Sequence, residues 1–127
     1  MKPKRNHYSL YVLNDVASVK KHLDNDPFKY KSSSDLLNNI TSANRKSVEK
    51  AFKEIYGHGI KTYHVKQRLE KSKKHLEEGM TVKLAASACL YKSQSAYSTA
   101  FKKEFAMTPT EWLKIVSNET SRKLSDK

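Results

Sequence analysis

One cysteine, three glycines, three prolines and one tryptophan in 127 residues leave several protein classes without their raw material. Cys89 has no partner for an intramolecular disulfide and cannot by itself build a cysteine cage for a metal, so a reducing compartment is expected. With so little Gly and Pro, tight turns are scarce and an all-β sandwich is disfavoured. No stretch approaches the ~18 consecutive apolar residues of a transmembrane helix. Leu10 to Leu13 is too short for a signal-peptide core, and no small-residue cleavage site follows it. Acidic residues are scarce as well. There are 13 Asp and Glu against 25 Lys and Arg, a formal net charge of +12.

That charge admits three explanations: a nucleic-acid partner, an anionic membrane surface, or a well-solvated exterior. Its distribution is informative. Between Arg45 and Lys74 stand ten Lys and Arg (45, 46, 50, 53, 61, 66, 68, 71, 73, 74) against Glu49, Glu54 and Glu70. A long basic stretch within a helical pattern is the footprint of phosphate contact.

The apolar residues recur at helical spacing. Residues 1–14 read as a basic arm (Lys2, Lys4, Arg5) running into a short extended or irregular segment. Asp15 is the expected N-cap of a helix presenting Val16, Val19 and Leu23, ended by Asn25-Asp26-Pro27. Ser32, Ser33, Ser34 and Asp35 offer caps for a short helix to Thr41 carrying Leu36, Leu37 and Ile40. Asn44 caps the next, whose stripe is Val48, Ala51, Phe52 and Ile55, and Gly57 suits its left-handed end. A longer helix covers about Lys61 to Glu78, with Val65, Leu69, Ser72 and Leu76 inward and His64 on the solvent side. Thr81 caps a small-residue helix, Val82 to Leu90, with Cys89 on its apolar face. Ser93 caps another bearing Tyr97, Ala100, Phe101 and Phe105. Thr108-Pro109-Thr110-Glu111 is a capping box before Trp112 and Ile115. The expectation is an all-α fold of about seven helices.

Two segments repeat. Ala51-Phe52-Lys53 aligns with Ala100-Phe101-Lys102 at an offset of 49 residues, and the same offset pairs Val48 with Tyr97, Tyr56 with Phe105, Gly57 with Ala106 and Tyr63 with Trp112. In each copy a short helix, a turn and a second helix with a polar start follow one another. That is the outline of a helix-turn-helix, whose second helix enters the major groove. A connecting helix of about 18 residues would span ~27 Å. With a little extra reach it would suit the ~34 Å repeat of successive major grooves. The boundaries that follow are an arm at 1–14, a first motif subdomain at 15–59, a linker at 60–79, a second at 80–118 and a polar tail at 119–127.

The most specific run is Tyr91-Lys-Ser-Gln-Ser-Ala-Tyr-Ser-Thr-Ala-Phe-Lys-Lys-Glu-Phe-Ala-Met-Thr-Pro-Thr-Glu-Trp112. Tyr63, Arg68-Leu69 and Leu76 follow a Y-x4-R-L-x6-L spacing. On these residues the stretch from Asp35 to Lys114 resembles the DNA-binding domain of AraC/XylS-type transcription regulators, which carries two helix-turn-helix motifs joined by a long helix. The sequence departs from that family at Leu90 and Ala106, where the family has Gly, so the turn at Leu90 is expected to be built differently. Ala85-Ala86 replaces the family's Ile-Ala pair, and Asn38 its small residue in the first motif.

The resemblance implies base-reading side chains at Arg45, Lys46, Glu49 and Lys50 in the first recognition helix, and at Gln94, Ser95 and Thr99, with Ser98 beside them, in the second. The chemistry is suitable, since Arg or Lys pairs with guanine O6/N7, Gln with adenine N6/N7, and Thr meets a thymine methyl. Lys53, Lys102 and Lys103 fall to phosphate, as do Asn44 and Ser93 through helix N-terminal amides. A capping role without DNA is the equal alternative for Asn44, and solvated charge or phosphate contact for Lys46 and Lys50. Double-stranded DNA is the implied partner, bound by a monomer because one chain holds both reading heads. RNA polymerase is a second implied partner, and a bacterial nucleoid in the cytoplasm the implied location.

No catalytic constellation, cofactor motif or metal-ligand spacing stands out. The five His at 7, 22, 58, 64 and 75 include no pair at i, i+4. The chain is expected to be no enzyme, with no cofactor and no membrane partner. About 30 residues precede the first motif, too few for a separate effector domain, so a stand-alone regulator and a fragment of a longer one both remain open. The rival readings are a helical protein-interaction adaptor or a non-specific DNA-binding module with degraded base readout, and an enzyme accessory domain. Tyr8 and Tyr11 have no role in any of them beyond packing an arm or meeting a partner.

Overall fold

The computed structural model describes residues 8–125, which form seven α-helices and, among the described residues, no strand. The helices are α1 (Leu10–Asn25), α2 (Ser33–Ile40), α3 (Arg45–Tyr56), α4 (Ile60–Glu77), α5 (Val82–Ala88), α6 (Gln94–Phe105) and α7 (Pro109–Ser125). Lys2, Lys4 and Arg5 of the expected arm lie outside the described residues. The chain divides within α4 into two compact units, Met1–Gln67 and Arg68–Lys127.

In the first unit, α1 lays Val12, Val16, Val19 and Leu23 against Leu36 and Leu37 of α2, Val48, Ala51 and Phe52 of α3, and Ile60 at the start of α4. The spacing of these residues is that of one helical face, which is why the segment is helical and why this face is buried. The expected start of α1 is corrected. Ser9, not Asp15, is its N-cap, with Oγ accepting from the Val12 amide at 3.2 Å, so residues 10–14 of the supposed arm are helix. The extended or irregular reading fails from Leu10 onward, where Leu10 and Tyr11 are exposed and carry no packing signal, while Tyr8 and Ser9 precede the helix. Asp15 lies buried inside α1, where its Oδ2 accepts from the amides of Ser42 (3.0 Å) and Ala43 (2.8 Å) in the turn between α2 and α3. It caps a turn 27 residues away rather than its own helix.

His64 is corrected in the same way. It is buried, and its Nε2 sits 2.7 Å from the Pro27 carbonyl. The loop after α1 folds back over this face of α4, so the position meets protein instead of solvent. Nearby, the Tyr63 hydroxyl donates to Asp24, whose other oxygen pairs with Lys20 at 2.5 Å. Tyr8, one of the unassigned aromatics, donates to Glu54 at 2.7 Å.

The second unit buries Leu69 and Leu76 of α4, Ala85 and Ala86 of α5, Cys89, and Tyr97 and Phe101 of α6. Ser72 is fully buried; its hydroxyl donates to the Leu69 carbonyl and accepts from Tyr97 at 2.7 Å. Phe101 packs on Phe105 and on Trp112 of α7, with ring centroids 4.6 and 6.3 Å apart. Thr108 and Glu111 close the capping box reciprocally, at 2.9 and 3.2 Å. The helix they start continues to Ser125, past the end of the apolar pattern.

The repeat is carried in three dimensions. Phe52 packs on Tyr56 and Tyr63 as Phe101 packs on Phe105 and Trp112. A lead helix belongs to each copy as well: Val16, Val19, Lys20 and Leu23 correspond to Leu69, Ser72, Lys73 and Leu76, at an offset of 53 rather than 49. Lys20 lies over the rings of Tyr56 and Tyr63, and Lys73 over those of Phe105 and Trp112. Each unit is thus one lead helix, a helix pair and the first turns of a closing helix.

Candidate nucleic-acid interface

Within each unit the second helix of the pair is bound to the core by one face and bare on the other. Helix α3 buries Val48, Ala51 and Phe52 and exposes Arg45, Lys46, Glu49, Lys50 and Lys53. Helix α6 buries Tyr97 and Phe101, exposes Gln94, Ser95, Thr99, Lys102 and Lys103, and leaves Ser98 half-buried. Every base-reading and phosphate residue expected from the sequence therefore lies on one of these two helices or at its cap. Within each unit they share a helix.

The caps are formed by the residues expected. Asn44 Oδ1 accepts from the Ser47 amide at 3.1 Å, and Ser93 Oγ from the Ala96 amide at 3.1 Å. Each cap satisfies one of the helix's otherwise orphaned N–H groups and holds the first turn in shape. The other ends match too. Gly57 takes φ 81° and Ala106 takes φ 64°, and each amide donates to the carbonyl four residues back at 2.8 Å.

The turn at Leu90 is built as a glycine would build it, contrary to expectation. Leu90 adopts φ 66°, with its amide donating to Ser87 and that of Tyr91 to Ala86, both at 3.0 Å. Those two bonds satisfy carbonyls at the end of α5, and the Leu90 side chain is 41% exposed. In the first motif the corresponding Thr41 stays extended, at φ −99°.

The first unit carries a basic cleft beside α3. The cleft, of about 450 Å³, is lined by Arg45, Lys50, Lys53 and Lys61, with Glu49 their one acidic neighbour there. Arg45 is already engaged: Nε donates to Glu49 and Nη1 to Ser34, each at 2.9 Å. Ser34 was missed by sequence reasoning, which placed it among possible caps, since nothing in a serine run shows which hydroxyl faces another helix.

The remaining reactive group is quiet. Burial pushes the Cys89 thiol up to about 11, so it stays protonated, with its Sγ 3.9 Å from the Arg68 carbonyl. No helix among the described residues is long and apolar enough to cross a membrane.

Two helix pairs, each ending in a capped helix with a polar outer face, are the anatomy of a double helix-turn-helix. A family model described as a helix-turn-helix domain, of the AraC type, matches residues 37–115, more than half of the chain. The chain belongs to the AraC-type helix-turn-helix family. The matched stretch runs from the last turn of α2 to the middle of α7, so it takes in α3, α6 and the helix between them. Members of this AraC-type family are DNA-binding domains of transcription regulators, a family of binding modules and not of enzymes. No curated protein and no solved structure matches the chain.

Proposed function

We propose that this AraC-type domain binds DNA sequence-specifically as a monomer, with α3 and α6 as recognition helices for successive major grooves. One observation carries the reading: in both units the second helix of the pair exposes base-competent side chains over its first two turns, beside a side-chain cap. Arg45, Lys46, Glu49 and Lys50 serve the first site, and Gln94, Ser95, Ser98 and Thr99 the second. Lys53, Lys102 and Lys103, further along the same helices, contact phosphate, as do the helix starts at Asn44 and Ser93. The connecting helix, α4, is 18 residues long, in keeping with this mode. The regulator acts in a bacterial cytoplasm, and RNA polymerase is the partner it meets on DNA. The expected subdomains belong to the same reading, with 15–59 and 80–118 as the two reading heads and 60–79 as their link. The left-handed turn at Leu90 supports it over an adaptor that has lost DNA reading, since the departure that favoured the adaptor leaves the turn intact.

Selection of bound sequences from random duplexes, followed by affinity against salt, tests the proposal. The expected result is a motif spanning about two major-groove turns and a log–log salt slope of several units. Gln94→Ala relaxes preference at one position, whereas Lys102→Ala weakens binding to all sequences alike. Salt-sensitive binding without a selected motif would overturn sequence specificity, and equal loss on every sequence from Gln94→Ala would overturn its base-reading role.

A further inference from the structure

Arg45 is the first residue of α3 and the one arginine on α3 or α6, and its guanidinium is held from two elements. Its Nε donates to Glu49 Oε1, one turn along α3, and its Nη1 donates to Ser34 Oγ, near the start of α2, each at 2.9 Å. The side chains of Arg45 and Glu49 are 46% and 47% exposed. An ion pair so open to water adds little to stability. What it does is fix a direction. A free arginine side chain gives up rotamer freedom when it binds, and a guanidinium already held gives up less.

The donors can be counted. Arginine carries five N–H groups, of which Glu49 and Ser34 occupy two. Three remain, on Nη1 and Nη2. The two terminal nitrogens present the fork that matches guanine O6 and N7 end-on. Glu49, meanwhile, has one oxygen turned back onto its own helix. We infer that Ser34 and Glu49 are positioning residues for Arg45, and that Arg45 is the guanine reader of the first motif. Glu49 then acts through Arg45 instead of reading a base itself. The inference rests on the proposed DNA-reading function of α3.

Base selection on the whole chain tests it, with position-by-position preferences compared among variants. Wild-type protein selects a guanine in the half-site of the first unit, and Arg45→Ala loses that preference. Ser34→Ala and Glu49→Ala each lower it several-fold at the same position and at no other, while Glu49→Gln, which keeps an acceptor oxygen, retains most of it. In the Arg45→Ala background, neither Ser34→Ala nor Glu49→Ala has any further effect. A role in folding alone would move all positions together, and helical content by circular dichroism reports it separately. A shift at a different position on Glu49→Ala would show direct reading by the carboxylate and overturn the inference. So would uniform weakening by Arg45→Ala, which marks a phosphate contact. Selection of a motif with no such coupling defeats this inference alone; absence of any motif defeats the DNA-reading proposal with it.

Discussion

Gly57 and Ala106 occupy the same place in the two units, and exchanging their residue types measures what that place demands. Both backbones are left-handed, at φ 81° and 64°, and both amides make the same 2.8 Å bond to the carbonyl four residues back. A Cβ on Gly57 would meet nothing within 4 Å, so Gly57→Ala changes no packing and reads the backbone cost alone. The left-handed region costs a non-glycine residue about 1–2 kcal/mol. Alanine offsets about 0.4–1 kcal/mol of that by restricting the unfolded chain. Gly57→Ala should therefore destabilise by about 1 kcal/mol, and Ala106→Gly should stabilise by a similar ~1 kcal/mol, since the exposed Ala106 methyl contributes little packing. Urea unfolding followed by circular dichroism reads both variants. Fluorescence of Trp112, whose ring lies 6.3 Å from Phe101, adds a local probe for Ala106→Gly. Changes of the same sign in the two variants would refute the reasoning, because strain would not then be the quantity the site measures.

Asp15→Ala leaves the Ser42 and Ala43 amides without their acceptor and should cost about 3 kcal/mol in denaturant unfolding. Asp15→Asn, which keeps one acceptor oxygen, should cost less, and a loss below ~1 kcal/mol for the alanine variant would show that water replaces the carboxylate. The Thr108 amide holds the Glu111 carboxyl below its ordinary range, with the Thr108 hydroxyl contact and nearby Lys102 and Lys114 acting in the same direction. A depressed folded value means stability present above the unfolded carboxylate value of ~4.3 and lost as pH falls through the folded one, so Glu111→Gln should flatten the acid limb of Tm against pH. An unchanged acid limb would remove the capping box from the pH response.

The elements legible in the sequence were those whose signals are local. The stripe of Val48, Ala51, Phe52 and Ile55 announced α3, and Asn44, Thr81, Ser93 and Thr108 each stand where a capping side chain was expected. The repeat at 49 residues placed both candidate recognition helices and their polar faces. What stayed hidden depends on distant partners. Asp15 and His64 find theirs 27 and 37 residues away, so a cap reading and a solvent reading were reasonable from neighbours alone and wrong in three dimensions. The lead helices escaped notice because four residues of loop shift their offset from 49 to 53, and a search at one period does not see them. Arg45 was singled out by type and position, but its tie to Ser34 crosses from α3 to α2 and leaves no trace in spacing.

The two units solve one problem in two ways. Each must hold the turn that precedes the second helix of its pair, and the amides of that turn need acceptors. In the first unit the acceptor is a side chain: Asp15 of the lead helix takes the amides of Ser42 and Ala43, and Thr41 remains extended. The residue corresponding to Asp15 in the second unit, at the lead-helix offset, is Arg68, whose side chain has five donors and no acceptor. No carboxylate can serve the turn from there. The backbone serves it instead, by turning left-handed at Leu90 so that the Tyr91 amide reaches the Ala86 carbonyl at 3.0 Å. Strain at a leucine thus stands where the first unit has a buried side-chain acceptor. The departure from glycine at Leu90 is tolerated because the left-handed backbone supplies, from α5 itself, the acceptors that an arginine in place of the aspartate cannot.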